Sequence, residues 1–459
     1  MKNPLLVPEL REMLASGDAA GLLEFCDTIH PALAAELLSP LSPEEIWQVL
    51  KCAPSPLRAE IFSHIDSDLQ IEIAAGLRRE EAARLLSDMP PDDRADLFNR
   101  LPEEKRDAVL PALAQAERED IRRLTVHKEG TAGAVMTSDY AALQPDLTVA
   151  EAIERLREIA PDRETIYYAY VVDDKRKLIG FVSLKDLILA RRDVRVQDIM
   201  HTEPIAARVD EDQEEAARKI QKYDLIALPV LNGDDALVGI ITHDDALDVI
   251  TQEHTEDIEK LMAIAGRHES MGYMKTSPWE HFKNRAGWVV VLAILGLVSG
   301  YIVQSFEGLL MQFAILAAFM PMLADTGGNT GSQSATLVIR ALALKEIGPR
   351  DAARVLAKEV WVSLLLGALL GIVAYGRVAL LYAGSSLRAG LSVHWVGAAI
   401  ATALGLQVVT ATLIGALLPL GAARMRCDPA VVASPALTTI VDITGLMLYF
   451  WTVKLFLGV

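Results

Sequence analysis

Cysteine is almost absent from this chain: 459 residues hold only Cys26, Cys52 and Cys427, and none forms a Cys-x-x-Cys pair. That excludes a disulfide framework and a cysteine-based zinc site, and it fits a reducing cytosol. Basic charge is scarce where nucleic acid would need it, because residues 1–278 carry 32 Lys and Arg against 54 Asp and Glu, a net of −22. Phosphate binding requires clustered Lys and Arg, so cations are the expected charged partner and nucleic acid is not. Charge of either sign is scarce in residues 279–459, which hold 12 basic and 8 acidic side chains. The opening MKNPLLVPELREML also lacks the uninterrupted apolar core of a signal peptide. The pattern is an acidic, water-soluble part joined to a part suited to lipid.

Residues 1–128 read as an α-helical N domain of short stacked helices. Ser42-Pro43-Glu44-Glu45, Pro91-Asp92-Asp93 and Pro102-Glu103-Glu104 each mark a helix start. Proline suits the first helical position and carboxylates suit the positive end of the helix dipole. From about 129 to 254 the alphabet changes to β-branched runs alternating with helices, and the segment repeats itself. Met136-Thr137 followed by VAEAIERLREI parallels Met200-His201 followed by EEAARKIQKY, and LIGFVSLKDLI parallels LVGIITHDDAL. Two βαββα-like units result, 129–193 and 194–254, each with an apolar sheet face that packing against the other would bury. The tandem resembles a pair of cystathionine β-synthase (CBS) domains. Residues 255–278 then place Ile258, Leu261, Met262 and Ala265 on one stripe of a connecting helix.

Five all-α spans are expected in 279–459, at about 285–306, 309–325, 358–383, 393–420 and 430–454, with 326–344 continuing the second in broken form. Uncharged runs over Ala286–Phe306, Gly308–Ala324, Val360–Gly376 and Ala389–Ala423 support them, and Pro429–Val453 is interrupted only by Asp442. With the N-terminus cytoplasmic, the inner flanks hold Lys275, Lys283, Arg285, Arg340, Lys345, Arg350, Arg354, Lys358, Arg424 and Arg426. The outer flanks hold Arg377, Arg388 and Lys454. The bias puts the N-terminus inside and the C-terminus outside a cell membrane.

Asp442 falls at mid-membrane, where insertion of an acid costs about 2.5–3.5 kcal/mol. Its carboxylate must be protonated, held by neutral donors such as Thr438 or Thr439, or neutralised by an arriving cation. The run PMLADTGGNTGSQ (321–333) concentrates glycine with Asp325 and Asn329. It reads either as irregular backbone lining a wet path or as a small-residue packing interface, and the two polar residues favour the path. Oxygen donors without His or Cys suit a hard cation, and magnesium usually meets a protein through one or two carboxylates and water.

The stretches PMLADTGGNTGSQSATLVIRALAL (321–344) and DPAVVASPALTTIVDITGLMLYF (428–450) resemble the MgtE family of magnesium-selective channels. The order of N domain, CBS pair, connecting helix and five spans is similar throughout. The resemblance implies a homodimer in the lipid bilayer, with a pore between the second and fifth spans that imports Mg2+ and is closed by cytosolic Mg2+. Asp442 matches the pore carboxylate, Gly328 and Asn329 match a filter-like turn, and Asp325 and Ala317 belong to the expected pore. Asp325 stands where the family has glycine, and Ser332 where it has asparagine.

The acids of the soluble part would repel at short range, and bridging divalent ions would favour a compact state. The resemblance implies regulatory ligands at Asp92, Asp96, Asp212, Glu214, Asp224, Asp245, Asp248, Glu253, Glu256 and Asp257. It also implies ATP at the CBS pair, with Tyr168, Ser183 and Asp186 as contacts. The membrane part offers no nucleophile and base pair, so no enzyme is expected. A proton-coupled divalent-cation transporter and a CBS-regulated membrane enzyme or receptor are the alternatives.

Overall fold

The computed structural model describes residues 7–160, 163–262, 264, 273, 276–382, 392–429 and 435–458. Lys275, Arg388 and most of the expected connecting helix beyond Leu261 lie outside them. The chain divides into two units at Glu253 and His254.

The first unit opens with helices Val7–Ser16, Ala19–Thr28, Pro31–Leu38, Pro43–Leu50, Ser55–Ser63, Ser67–Gly76, Arg79–Asp88, Pro91–Arg100, Glu103–Val109 and Gln115–Leu124 (α1–α10). The proline-acid starts open α4, α8 and α9, and Ser42 with Glu45 closes a capping box at α4. Each short helix leaves carbonyls without intrahelical partners at its C-terminus. Side chains from the following helices satisfy them in a repeating way. Arg58 donates to Leu50 and Ala53 carbonyls at 3.0 and 2.9 Å, and Arg94 repeats this on Leu86 and Met89 at 2.7 and 2.8 Å. Gln70 does the same for Phe62 and Ser63.

Next come β1 (Tyr140–Leu143), α11 (Val149–Ile159), β2 (Thr165–Val172), β3 (Leu178–Ser183), α12 (Leu184–Leu189), α13 (Val196–Ile199) and β4 (His201–Thr202). They are followed by β5 (Ala207–Arg208), α14 (Gln213–Tyr223), β6 (Ala227–Leu231), β7 (Leu237–Thr242) and α15 (His243–Leu261). The sheets run β1-β2-β3-β4 and β5-β6-β7. The repeat read from the sequence is exact in register: Tyr168 pairs with Ser183 and Val171 with Gly180, as Ala227 pairs with Thr242 and Val230 with Gly239. Tyr140, Tyr170, Ala227, Leu237 and Ile240 form one buried cluster joining the two repeats. The expected boundary at 254 falls inside α15, which continues from the second repeat without interruption.

The second unit holds α16 (Pro278–Ser305), α17 (Glu307–Gln312), α18 (Met320–Ala343), α19 (Ala352–Leu381), α20 (Val393–Arg424) and α21 (Pro435–Leu457). Among the described residues four segments are long and apolar enough to cross a membrane: Pro278–Ser305, Pro349–Leu381, Val393–Arg424 and Ala436–Leu457. With 24 residues, α18 spans about 36 Å, enough for a hydrocarbon core near 30 Å, though its polar residues dilute its hydropathy.

One expectation is corrected here. The run 321–333 does not break: α18 is continuous through it, and the irregular backbone lies earlier, in a 3-10 turn over Ala314–Phe319. Gly328 and Asn329 therefore occupy helix and not a filter-like turn. The reason is packing, since Gly331 is buried where α18 crosses α20. A Cβ on Gly415 would stand 2.2 Å from the Gly331 carbonyl oxygen. Glycine lets these backbones touch, the packing alternative weighed for this run.

The carbonyl-capping repeat is testable at Arg94, which is only 7% exposed. Arg94→Met strips charged hydrogen bonds from the end of α7 and should cost about 2–3 kcal/mol. Hydrogen exchange of α7 and α8 amides should quicken accordingly, while the amides of α20 keep their protection.

Candidate ion site and acidic cluster

Asp442 sits about two turns into α21 and is half-buried. Among the described residues no hydrogen bond or ion pair reaches its carboxylate. Of the three sequence-level possibilities, restraint by a threonine hydroxyl is thus not the one formed. Glycines of α18 bring that helix against α21 one turn away, with Gly327 and Gly331 against Val441 and Gly328 facing Thr438.

The opposite face of α18 exposes Asp325, Asn329, Gln333, Thr336 and Arg340 in succession. Their i, i+4 and i+3 spacing makes one polar stripe. The Asn329 amide donates to the Asp325 carboxylate at 3.2 Å. Ala317 is exposed within the 3-10 turn that precedes the helix.

A buried acid in the helical bundle escaped the sequence reading. Glu359 on α19 is 9% exposed and accepts a 2.8 Å hydrogen bond from the Ser334 hydroxyl of α18. It stands one residue before the uncharged run Val360–Gly376, so it reads as a flank. Gln407 on α20, 1% exposed, was missed too, because an uncharged polar residue leaves a hydropathy run intact.

In the first unit, Asp92, Asp93 and Asp96 project from the first two turns of α8 towards the start of α15, where Asp244, Asp245 and Asp248 lie. Helix starts collect acids, and here two such starts face each other. Burial, then the neighbouring Asp93, Asp245 and Glu164 charges, pushes the Asp92 carboxyl well above the usual range. One of its oxygens, Oδ1, is buried without a hydrogen-bond partner among the described residues. Desolvation by the neighbouring elements raises Asp96 to about 6 against the pull of Arg100, although its side chain stays exposed. Asp245 also rises to about 6, by burial first, although Thr242 donates to it at 2.6 Å. Glu164, at the entry to β2, is pushed up to about 7 by desolvation and then by Asp245 and Asp244. Asp93, Asp244 and Glu164 were not among the expected ligands; only their placement across three elements reveals them.

The remaining expected ligands are dispersed. Asp212 caps α14 by accepting from the Glu214 amide at 2.9 Å, and Glu214 pairs with Arg218. Glu253 comes near that end of α14, accepting from Gln213 at 2.6 Å. Asp224 lies at the far end of the same helix, in left-handed backbone with φ 51°. In the second unit Glu256 pairs with Lys260 at 2.6 Å, and Lys260 also reaches Asp428 at 3.1 Å. Asp257 follows on the same helix. Among the described residues no three His, Cys, Asp or Glu side chains converge to hold a metal directly. Magnesium bound through one or two carboxylates and its own waters needs no such convergence.

In the first repeat Ser183 and Asp186 form a capping box at α12, and His201 also contacts Asp186 at 3.2 Å. Phe181 stacks on His201 and meets Tyr168 edge-on, with ring centroids 5.1 and 5.4 Å apart. Aromatic rings and a hydroxyl-carboxylate pair thus share one side of the sheet. The second repeat keeps the pair as Thr242 and Asp245 but has Ala227 where the first has Tyr168.

Three family profiles match: an MgtE intracellular N domain over residues 29–130, CBS domains over 132–193 and 196–252, and a divalent cation transporter over 320–452. The magnesium transporter MgtE of Thermus thermophilus is 38% identical over 460 residues, covering 98% of each chain. That of Bacillus subtilis is 34% identical over 74% of this chain and 73% of its own. These relatives are transporters, not enzymes. A crystal structure of the cytosolic domain of the Mg2+ channel MgtE in complex with ATP is similar at a TM-score of 0.50 and 38% identity. It covers 52% of this chain and 98% of that one. With so near a full-length relative, this multi-pass membrane protein belongs to the MgtE family.

Proposed function

We propose that the chain imports Mg2+ across the cell membrane as a homodimeric channel, passing the ion along α18 and α21 at Asp442, and that cytosolic Mg2+ closes it. The observation that carries this reading is the Asp442 carboxylate, set in an apolar bundle without a hydrogen-bond or ion-pair partner among the described residues. A charge at that depth needs a counter-charge, and a passing cation supplies one. The oxygen-only surroundings suit Mg2+, and two copies of Asp442 about one axis would balance a single divalent ion.

The polar stripe from Asp325 to Arg340 supports the homodimer, because lipid would leave those groups unsolvated. A second copy, or water held between two copies, would cover them. The Lys and Arg bias supports a cytoplasmic N-terminus and an external C-terminus.

Regulation follows from the two facing acidic helix starts. Deprotonated, Asp92, Asp93, Asp96, Asp244, Asp245, Asp248 and Glu164 oppose their own packing; bridging Mg2+ favours it, and α15 carries the change onward. Asp212, Glu214, Asp224, Glu253, Glu256 and Asp257 extend the sensor along α14 and α15. The ATP of the related cytosolic domain supports a nucleotide site here, with Tyr168 stacking the base and Ser183 and Asp186 meeting the ribose.

Removing a unit charge about 4 Å from the ion, at an effective dielectric near 20, forfeits about 4 kcal/mol. Asp442→Asn should therefore lower magnesium uptake into proteoliposomes by at least about 100-fold with assembly unchanged; parent-like uptake would remove Asp442 from the pathway. Neutralising Asp245, Asp248 and Glu253 together should weaken inhibition by internal magnesium about tenfold, and unaltered inhibition would count against a sensor there.

The raised carboxyls give a pH dependence with a definite sign. Their stabilising contribution is complete below about pH 4, the unfolded value, and disappears as pH rises through about 6 to 7. Without magnesium, α8 amides should exchange faster at pH 7.5 than at pH 5. Added magnesium should restore protection at pH 7.5 and change little at pH 5.

A further inference from the structure

The Gln407 side chain is more deeply buried than Asp442, and no step described so far uses it. It leaves α20 and ends between two glycines on different helices, Gly327 of α18 and Gly445 of α21. A Cβ on Gly327 would stand 2.3 Å from its amide nitrogen, and one on Gly445 would stand 2.1 Å from the same atom. No other residue type at those two positions leaves room for the amide as it sits. Its Nε2 donates to the Val441 carbonyl at 3.2 Å, and that carbonyl also accepts from the Thr444 hydroxyl at 3.2 Å. Its Oε1 is buried with no hydrogen-bond partner among the described residues. The reverse orientation of the amide would set two oxygens against each other, so the donor belongs on Val441.

The Val441 carbonyl and the Asp442 N–H belong to one planar peptide unit. Whatever holds that carbonyl also sets the plane from which the Asp442 Cα–Cβ bond departs. An apolar side chain of the same length would fill the space without the cost of a buried oxygen lacking a partner. The amide adds a fixed link between all three helices at the height of the ion site.

We infer that Gln407 is a positioning residue of the pore: its amide, lodged between Gly327 and Gly445, holds the Val441–Asp442 peptide and so fixes the direction of the Asp442 carboxylate. This rests on the channel reading above. Gly445→Ala should act like loss of the amide, because the added methyl drives the end of a flexible side chain away from Val441 while Gln407 itself is retained.

The test uses the full chain in proteoliposomes, with magnesium and calcium uptake measured beside the melting temperature in detergent. Gln407→Met should assemble and melt near the parent, yet lose magnesium uptake or shift the calcium-to-magnesium ratio by roughly tenfold. Gly445→Ala should shift the ratio in the same direction. A parent-like ratio in both variants overturns the inference, whether or not the melting temperature falls, since a purely structural role lowers stability and leaves selectivity alone. If Gln407→Met does not assemble, Gly445→Ala decides by the same ratio. Asp442→Asn and the parent run alongside. A parent that carries no magnesium overturns the channel reading itself, whereas an active parent blocked by Asp442→Asn, with Gln407→Met unchanged, overturns only the role of Gln407.

Discussion

A carboxylate inside an apolar helix bundle cannot be both charged and alone. Among the described residues Asp442 has no hydrogen-bond donor or ion-pair partner, which leaves a proton or a cation from outside the fold to settle its charge. Neutralisation by a buried Lys or Arg would have made a stable element of structure and ended the matter. The proposed transport depends on the protein leaving that electrostatic demand unmet.

Holding such a group steady requires rigid neighbours, and glycine provides them by permitting close approach. Gly331 and Gly415 let the α18 and α20 backbones touch, and Gly327 with Gly445 admits the Gln407 amide between helices. The glycines that suggested a broken helix thus serve an unbroken one. Polar residues divide between the two faces of α18: Ser334 turns inward to Glu359, while Asp325 and Asn329 turn outward along the stripe. That division suits a helix packed against its own bundle on one side and facing water or a second copy on the other.

The soluble part works by the opposite arrangement. Its N domain is closed by donors, with Arg58, Arg94 and Gln70 satisfying the ends of helices too short to satisfy themselves. Against that settled framework, the acids of α8 and α15 are crowded beyond their ordinary charged state. Local stability and regional repulsion coexist because they lie on different surfaces; in the proposed regulation a cation acts on the second without disturbing the first.

Periodicity, punctuation and charge were enough to read the helical N domain, the duplicated α/β unit and the apolar spans, because each is a local pattern repeated along the chain. Ser42-Pro43-Glu44-Glu45 marks a helix start wherever it occurs, and the paired repeats share register because they share spacing. Asp442 was legible for the same reason, as one charge in an uncharged run. Continuity of α18 was not, since glycine is indifferent between turn and helix until a neighbouring backbone demands closeness. Nor were Glu164, Asp93, Glu359 or Gln407, whose meaning lies in what faces them from elements far away in sequence. The sequence alone determined which segments suit water and which suit lipid, through the cost of burying charge. Only the tertiary structure decided which polar groups share a site, because that depends on packing across helices and not on order along the chain.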